Sequence, residues 1–141
     1  MMTILRNRLF ATLFAILVLS PFTAGLVLAV EIERVKSSGG IEAWLVQDDS
    51  VPVISFSFSF RGGAALDPKG KDGLADMVSG LLDEGAGGLD SKAFQEALED
   101  IAVSLGFDAE REWFRGSLRT LSKHRERAFE LLRLALTEPR F

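Results

Sequence analysis

Val51-Pro-Val-Ile-Ser-Phe-Ser-Phe-Ser-Phe60 is the stretch on which the fold turns. Ile54, Phe56, Phe58 and Phe60 alternate with Val53, Ser55, Ser57 and Ser59. A period of two puts the phenylalanines on one face of an extended strand and the serines on the other. One face therefore packs on a core, and the other meets small neighbours or solvent. The phenylalanines read as core rather than as a binding stripe. Upstream, Ile41 to Gln47 follows a Gly39-Gly40 turn and reads as a second strand. Asp48-Asp49-Ser50 is the polar turn that would join the two strands in an antiparallel hairpin. Glu31 to Lys36 reads as a mixed lead-in.

Downstream, Arg61-Gly62-Gly63 ends the strand, and Pro68, Gly70 and Gly73 mark a loop. A helix is expected from Asp72, its N-cap, with Leu74, Met77, Val78, Leu81 and Leu82 as one buried stripe. Gly85-Ala86-Gly87-Gly88 stops it. The spacing predicts a second helix over Ser91 to Leu105. Asp90 or Ser91 caps it, Phe94, Leu98, Ile101, Ala102 and Leu105 form its stripe, and Gly106 stops it. Phe107 to Leu121 reads as a hairpin whose larger apolar members are Phe107, Trp113, Phe114, Leu118 and Leu121. A last helix, Ser122 to Thr137, turns Phe129, Leu132 and Leu136 inward and Arg125, Glu126 and Arg133 outward, and Pro139 ends it. The order β-β-α-α-β-β-α is α+β: a two-layer domain with helices packed on an antiparallel sheet. Such a domain usually returns to its sheet, so the end at Phe141 reads as that of a truncated half-domain.

The N-terminus carries an address. Arg6 and Arg8 precede Leu9 to Val30, 22 residues without a charge, broken by Pro21 and closed by Val27-Leu28-Ala29. That order is the layout of a cleavable signal peptide over residues 1–29, directing residues 30–141 out of the cytoplasm, into a bacterial periplasm. The alternative is an uncleaved inner-membrane anchor over residues 9–30, which are numerous enough to cross a bilayer. The membrane enters in no other way. Without residues 1–29 the chain has 14 basic and 20 acidic residues, a net charge of −6 that argues against nucleic acid as a partner. There is no cysteine, hence no disulfide, although the compartment would allow one.

Gly73-Leu74-Ala75-Asp76-Met77-Val78-Ser79-Gly80, after the strand end Phe-Ser-Phe-Arg-Gly-Gly-Ala-Ala, resembles the opening of the insulinase and mitochondrial-processing-peptidase family of zinc peptidases. In that family a strand, a small-residue turn and a loop lead into Gly-x-Ala-His-x-x-Glu-His on a helix, the inverted zinc motif. Gly-Ala-Gly-Gly-Leu-Asp-Ser at 85–91, Ser104-Leu105-Gly106, and Leu-Leu-Arg-Leu-Ala-Leu-Thr-Glu-Pro-Arg-Phe at 131–141 continue the likeness to the end of the chain. The resemblance implies a metallopeptidase-like half-domain. It also implies an expectation about chemistry. Two histidines four apart on a helix hold one zinc, and the glutamate between them activates its water. Here the first histidine position holds Asp76, the glutamate position Ser79 and the second histidine position Gly80. Gly80 has no side chain and Ser79 is a poor base, and the family's further glutamate ligand lies downstream of Phe141. No catalytic, cofactor-binding or metal-ligating residue is therefore expected in this segment.

Other polar residues are weighed against ordinary surface roles. Asp76 and Asp83, two turns apart on the expected helix, and Glu84 read as solvated acids. His124, the only histidine, lies beside Lys123 and Arg125 with no second ligand type near it in sequence. Asp108, Glu110 and Glu112 alternate as on the wet face of a strand. The loop at 85–88 lacks Gly-Lys-Ser/Thr and follows a helix, so it closes a turn rather than cradling a phosphate. Trp113 and Phe114 face opposite ways, and an exposed one is a weak cue to a partner surface.

These readings converge on an exported, non-catalytic insulinase-like subunit. By resemblance it pairs with a catalytic zinc peptidase subunit, which supplies the zinc, and helps to enclose a peptide substrate. An active zinc metallopeptidase using displaced ligands and a stand-alone exported binding domain are the alternatives.

Overall fold

A computed structural model of the chain describes residues 31–141. The signal segment 1–29 and the alternative anchor 9–30 lie outside the described residues. The chain divides into two units, Met1–Gln47 and Asp48–Phe141. Among the described residues no helix is long and apolar enough to cross a membrane.

In the first unit, β1 (Ile32–Lys36) and β2 (Glu42–Val46) form an antiparallel hairpin in the register Ile32↔Val46 to Lys36↔Glu42. Its turn is Ser37 to Gly40. The Gly40 N–H donates to the Ser37 carbonyl, and Gly40 takes φ +88°, the left-handed region that favours glycine. Glu31 to Lys36 is thus a strand rather than a lead-in. The sequence hid it because β1 and β2 are exposed along nearly their whole length, so no burial imposes an alternating pattern.

The second unit holds a three-stranded antiparallel sheet in the order β3 (Val53–Arg61), β5 (Trp113–Leu121), β4 (Ser104–Ala109). The expected hairpin between 41–47 and 51–60 is therefore corrected. β2 pairs with β1, and β3 pairs with β5 over nine residues, from Val53↔Leu121 to Arg61↔Trp113. Side-chain fit explains this non-local choice. The ring of Phe58 lies across Gly116, where an added Cβ would stand 2.2 Å from it. Phe60 stacks on Phe114 with ring centroids 5.1 Å apart. The β4–β5 hairpin forms as expected, in the register Ser104↔Arg119 to Ala109↔Phe114.

Three helices complete the unit: α1 (Leu74–Ser79), α2 (Ser91–Glu99) and α3 (Arg125–Thr137). Asp90 caps α2 as expected, its Oδ1 accepting the Ala93 N–H at 2.9 Å. The helix stops six residues short of Leu105. Ala102 takes φ +50°, the Val103 N–H reaches the Leu98 carbonyl and the Ala102 N–H that of Glu99, which together close a Schellman cap. Leu105 then belongs to β4 and faces the helices. α3 buries Ala128, Leu131, Leu132 and Ala135, while Leu136, expected inside, is 39% exposed.

One core lies between the sheet and the helices. Phe94 and Leu98 of α2 meet Leu131 and Ala135 of α3 and Ala86 of the glycine loop. Leu118 of β5 meets Ala128 and Leu132, with Phe56 and Phe58 packed beside them. Each fully buried large side chain contributes about 1.5–3 kcal/mol of apolar transfer. The α+β, sheet-and-helix architecture expected from the element pattern is the one observed, with one more strand, in the order β-β-β-α-α-β-β-α.

Candidate functional site: the helix at residues 74–79

The turn leading into α1 is clasped by the β4–β5 turn. The N–H groups of Gly62, Ala64 and Ala65 donate to the carbonyls of Glu112, Glu110 and Arg111. Gly63 sits so close to this turn that a Cβ would stand 2.0 Å from the Glu110 carbonyl oxygen. The helix then starts later than expected. Gly73, at φ +90°, is its N-cap, and the carboxylate of Asp67 replaces the expected Asp72. Asp67 accepts the N–H groups of Gly73, Leu74 and Ala75 at 2.8, 3.1 and 3.0 Å. One carboxylate thus satisfies three of the donors a helix start leaves open. Sequence reasoning missed it, because a separation of six residues between Asp67 and Gly73 is no standard capping spacing.

α1 is only six residues long and ends at Ser79, with Gly80 as its C-cap. Its expected apolar stripe is partly overturned. Leu82 is buried, but Leu74 and Met77 are 39% and 59% exposed. Asp83 and Glu84 fall in the turns after the helix, so Asp76 and Asp83 do not share a helix face. Instead the Asp83 carbonyl accepts Gln95 Nε2 at 2.8 Å, and Glu84 Oε2 accepts the Ser91 hydroxyl at 2.8 Å.

The three positions of the zinc motif differ in environment. Asp76 is exposed in the first turn. Ser79 is 5% exposed, and its hydroxyl donates to the Asp76 carbonyl at 2.7 Å. Gly80 ends the helix and offers no donor atom. A zinc site here would need imidazoles at the first and last positions and an open carboxylate between them. One exposed carboxylate, one buried hydroxyl already bonded to backbone and one bare Cα do not fit the metal. Among the described residues, no group of three histidine, cysteine, aspartate or glutamate side chains is placed to hold a metal ion.

The remaining candidates are dispersed. His124 is half-buried at the end of a single 3₁₀ turn, Ser122–His124, that precedes α3. Asp108 lies on β4, in register with Arg115 of β5. Glu110 and Glu112 are in the turn between those strands, so the expected alternation along one strand is broken. Glu110 pairs with Arg115 at 2.9 Å on the surface. Phe114 is buried, and Trp113, 36% exposed, carries the Arg61 guanidinium 5.3 Å from its ring. The glycine loop is stitched to the segment after α3. Ala86 bridges Leu89 and Pro139, the Gly87 N–H donates to the Glu138 carbonyl, and the Arg140 N–H donates to that of Gly85. The N–H groups of Ala86 and Gly87 are committed to backbone, which closes the loop rather than opening a phosphate cradle.

Comparison with solved structures aligns this architecture with the peptidase M16 inactive domain from Pseudomonas fluorescens. The TM-score is 0.72 and the identity 24%, over 79% of this chain and 27% of that one. The chain shares the fold of that domain. A Helicobacter pylori protease matches with a TM-score of 0.66 and 17% identity, over 80% of this chain and 27% of that one. In sequence, the chain is 32% identical over 91 residues to the non-peptidase homolog YmxG of Helicobacter pylori, which is 64% of this chain and 21% of that protein. No family model matches. The chain thus spans about a fifth of the curated relative's length and about a quarter of the two solved chains. The insulinase-type resemblance read from residues 58–91 and 131–141 agrees with both the fold and the sequence likeness.

Proposed function

We propose that this chain is the N-terminal portion of an exported pseudo-peptidase, which pairs with a zinc-bearing peptidase and helps it to enclose peptide substrates. The observation that carries the reading is α1. It keeps its place after the strand and the small-residue turn, while Asp76, Ser79 and Gly80 stand at the metal and base positions. The names of its relatives, an inactive domain and a non-peptidase homolog, point the same way. In this reading the hydrolytic zinc resides in the partner, and this subunit contributes wall and scaffold. Export follows from residues 1–29, with cleavage after Ala29, so the mature protein begins at Val30.

The decisive experiment uses purified full-length protein, alone and mixed with a zinc peptidase that carries an intact His-x-x-Glu-His helix. Alone it is expected to leave peptides uncut; mixed, it is expected to co-elute with the peptidase and raise the rate of chelator-sensitive cleavage. Chelator-sensitive cleavage by the protein alone, with stoichiometric zinc lost on Asp76→Ala, would favour a peptidase using displaced ligands. Failure to associate would leave a stand-alone binding domain. Intact mass of the exported protein tests the signal: retention of residues 1–29 would assign the anchor instead.

A further inference from the structure

The three-stranded sheet covers one of its faces with helices. On the other, β5 presents Arg115, Ser117 and Arg119, all exposed. In register, Arg115 lies between Ser59 and Asp108, Ser117 between Ser57 and Gly106, and Arg119 between Ser55 and Ser104. Ser57, Ser117, Gly106 and Gly116 line a shallow trough of about 560 Å³ together with Phe58, Phe107, Arg115 and Asp108. The charge of this region runs against that of the chain. The whole sequence carries −4, yet the exposed face of β5 carries two arginines, Arg115 and Arg119, and no acid. Arg115 has a surface partner in Glu110, its side chain 55% exposed. Such a pair is worth little and exchanges readily. No ion pair within 4.0 Å engages Arg119 among the described residues.

We propose that this open sheet face docks an acidic polypeptide segment of a partner protein. Arg115 and Arg119 are four residues apart on one strand, so their Cα atoms stand ~13 Å apart and can grip carboxylates along a segment laid over the sheet. Guanidinium groups pair with carboxylates through two parallel hydrogen bonds. The serine and glycine floor between them leaves room for a backbone to approach and offers hydroxyls to its peptide groups. An apolar partner would strand these hydroxyls. Nucleic acid and anionic membrane spread their charge over a wide surface, on which two arginines flanked by Asp108 give little attraction. The inference is independent of the pseudo-peptidase reading, because it concerns the opposite face of the sheet from the helices and uses none of the zinc-motif positions.

The test is fluorescence anisotropy of a labelled oligoglutamate peptide with full-length protein. The peptide is expected to bind at about 20 mM salt and to weaken at about 150 mM, as screening requires. Oligolysine is expected not to bind. The double reversal Arg115→Glu/Arg119→Glu is expected to weaken oligoglutamate binding about tenfold or more. Ser57→Glu, which places a like charge on the trough floor, should do the same with an unchanged circular dichroism spectrum, and it decides the matter if the double variant does not fold. Arg125→Glu, on α3, should change affinity less than about twofold. No binding of oligoglutamate at low salt overturns the proposal. So does binding that survives Ser57→Glu, or equal binding of a DNA oligonucleotide or a phosphatidylglycerol vesicle.

Discussion

Ser79, at the position where the resemblance would place a catalytic glutamate, has a structural role. Its hydroxyl is buried and satisfied by the Asp76 carbonyl one turn back. Removing the hydroxyl costs one modest hydrogen bond, whereas a carboxylate there would be desolvated. We predict that Ser79→Ala lowers unfolding free energy by less than about 1.5 kcal/mol, and that Ser79→Glu lowers it by more than about 3 kcal/mol. Urea unfolding of the two variants measures this; equal stabilities would mean that the site is open. Ala102 offers the opposite opportunity. A Cβ in the left-handed region costs about 1 kcal/mol, so Ala102→Gly is expected to raise stability by about 0.5–1 kcal/mol, the relief of strain being offset in part by the freer unfolded chain. A loss of stability on that change would refute the Schellman cap. The motif residues themselves were legible, since a missing histidine is a missing atom. The burial of Ser79 and the triple acceptor role of Asp67 were not, because both depend on where the chain goes next.

At the scale of elements, α3 is the informative case. Ala128, Phe129, Leu131, Leu132, Leu134, Ala135 and Leu136 are all apolar, so two overlapping stripes are available to a 3.6-residue period. The periodicity offers Phe129, Leu132 and Leu136; Leu132 is buried and Phe129 packs edge-on against Phe56, whereas Leu136 is exposed and Ala128, Leu131 and Ala135 complete the packed stripe. Small residues at 128 and 135 let α3 approach Leu118 and Phe94, which decides the rotation of the helix. Leu131→Ala should cost about 2–5 kcal/mol and Leu136→Ala less than about 1 kcal/mol, read from denaturant midpoints at constant m. Comparable losses would restore the other stripe. The same comparison explains α2: its apolar period continues to Leu105, but the turn at Ala102 breaks it and hands Leu105 to β4.

For the molecule as a whole, the two units differ in how much they bury. The β1–β2 hairpin exposes Ile41 and Trp44 at 74% and 72%, whereas β5 sits at the centre of its sheet with Phe114, Gly116, Leu118 and Thr120 buried. A hairpin with no core of its own is marginally stable in water, and local opening follows burial. We predict that amides of residues 32–46 exchange with solvent at least about a hundredfold faster than those of 114–120 in a hydrogen-exchange measurement. Equal protection would require a cover over the hairpin.

What the sequence determined by itself was the chemistry it excludes and the local periods. Asp76, Ser79 and Gly80 cannot supply the ligands of a His-x-x-Glu-His helix, and the Phe-Ser alternation of 53–60 dictates a strand with one buried face. Both follow from atoms and spacing along the chain. Only the tertiary structure decided that β3 pairs with β5 rather than with β2, that α3 turns Leu131 inward, and that the glycine loop is closed by Pro139. Each of these joins residues roughly 50 or more positions apart or selects among equally apolar faces. Such choices are settled by shape, as when the Phe58 ring finds the one position on β5, Gly116, that has no side chain to block it.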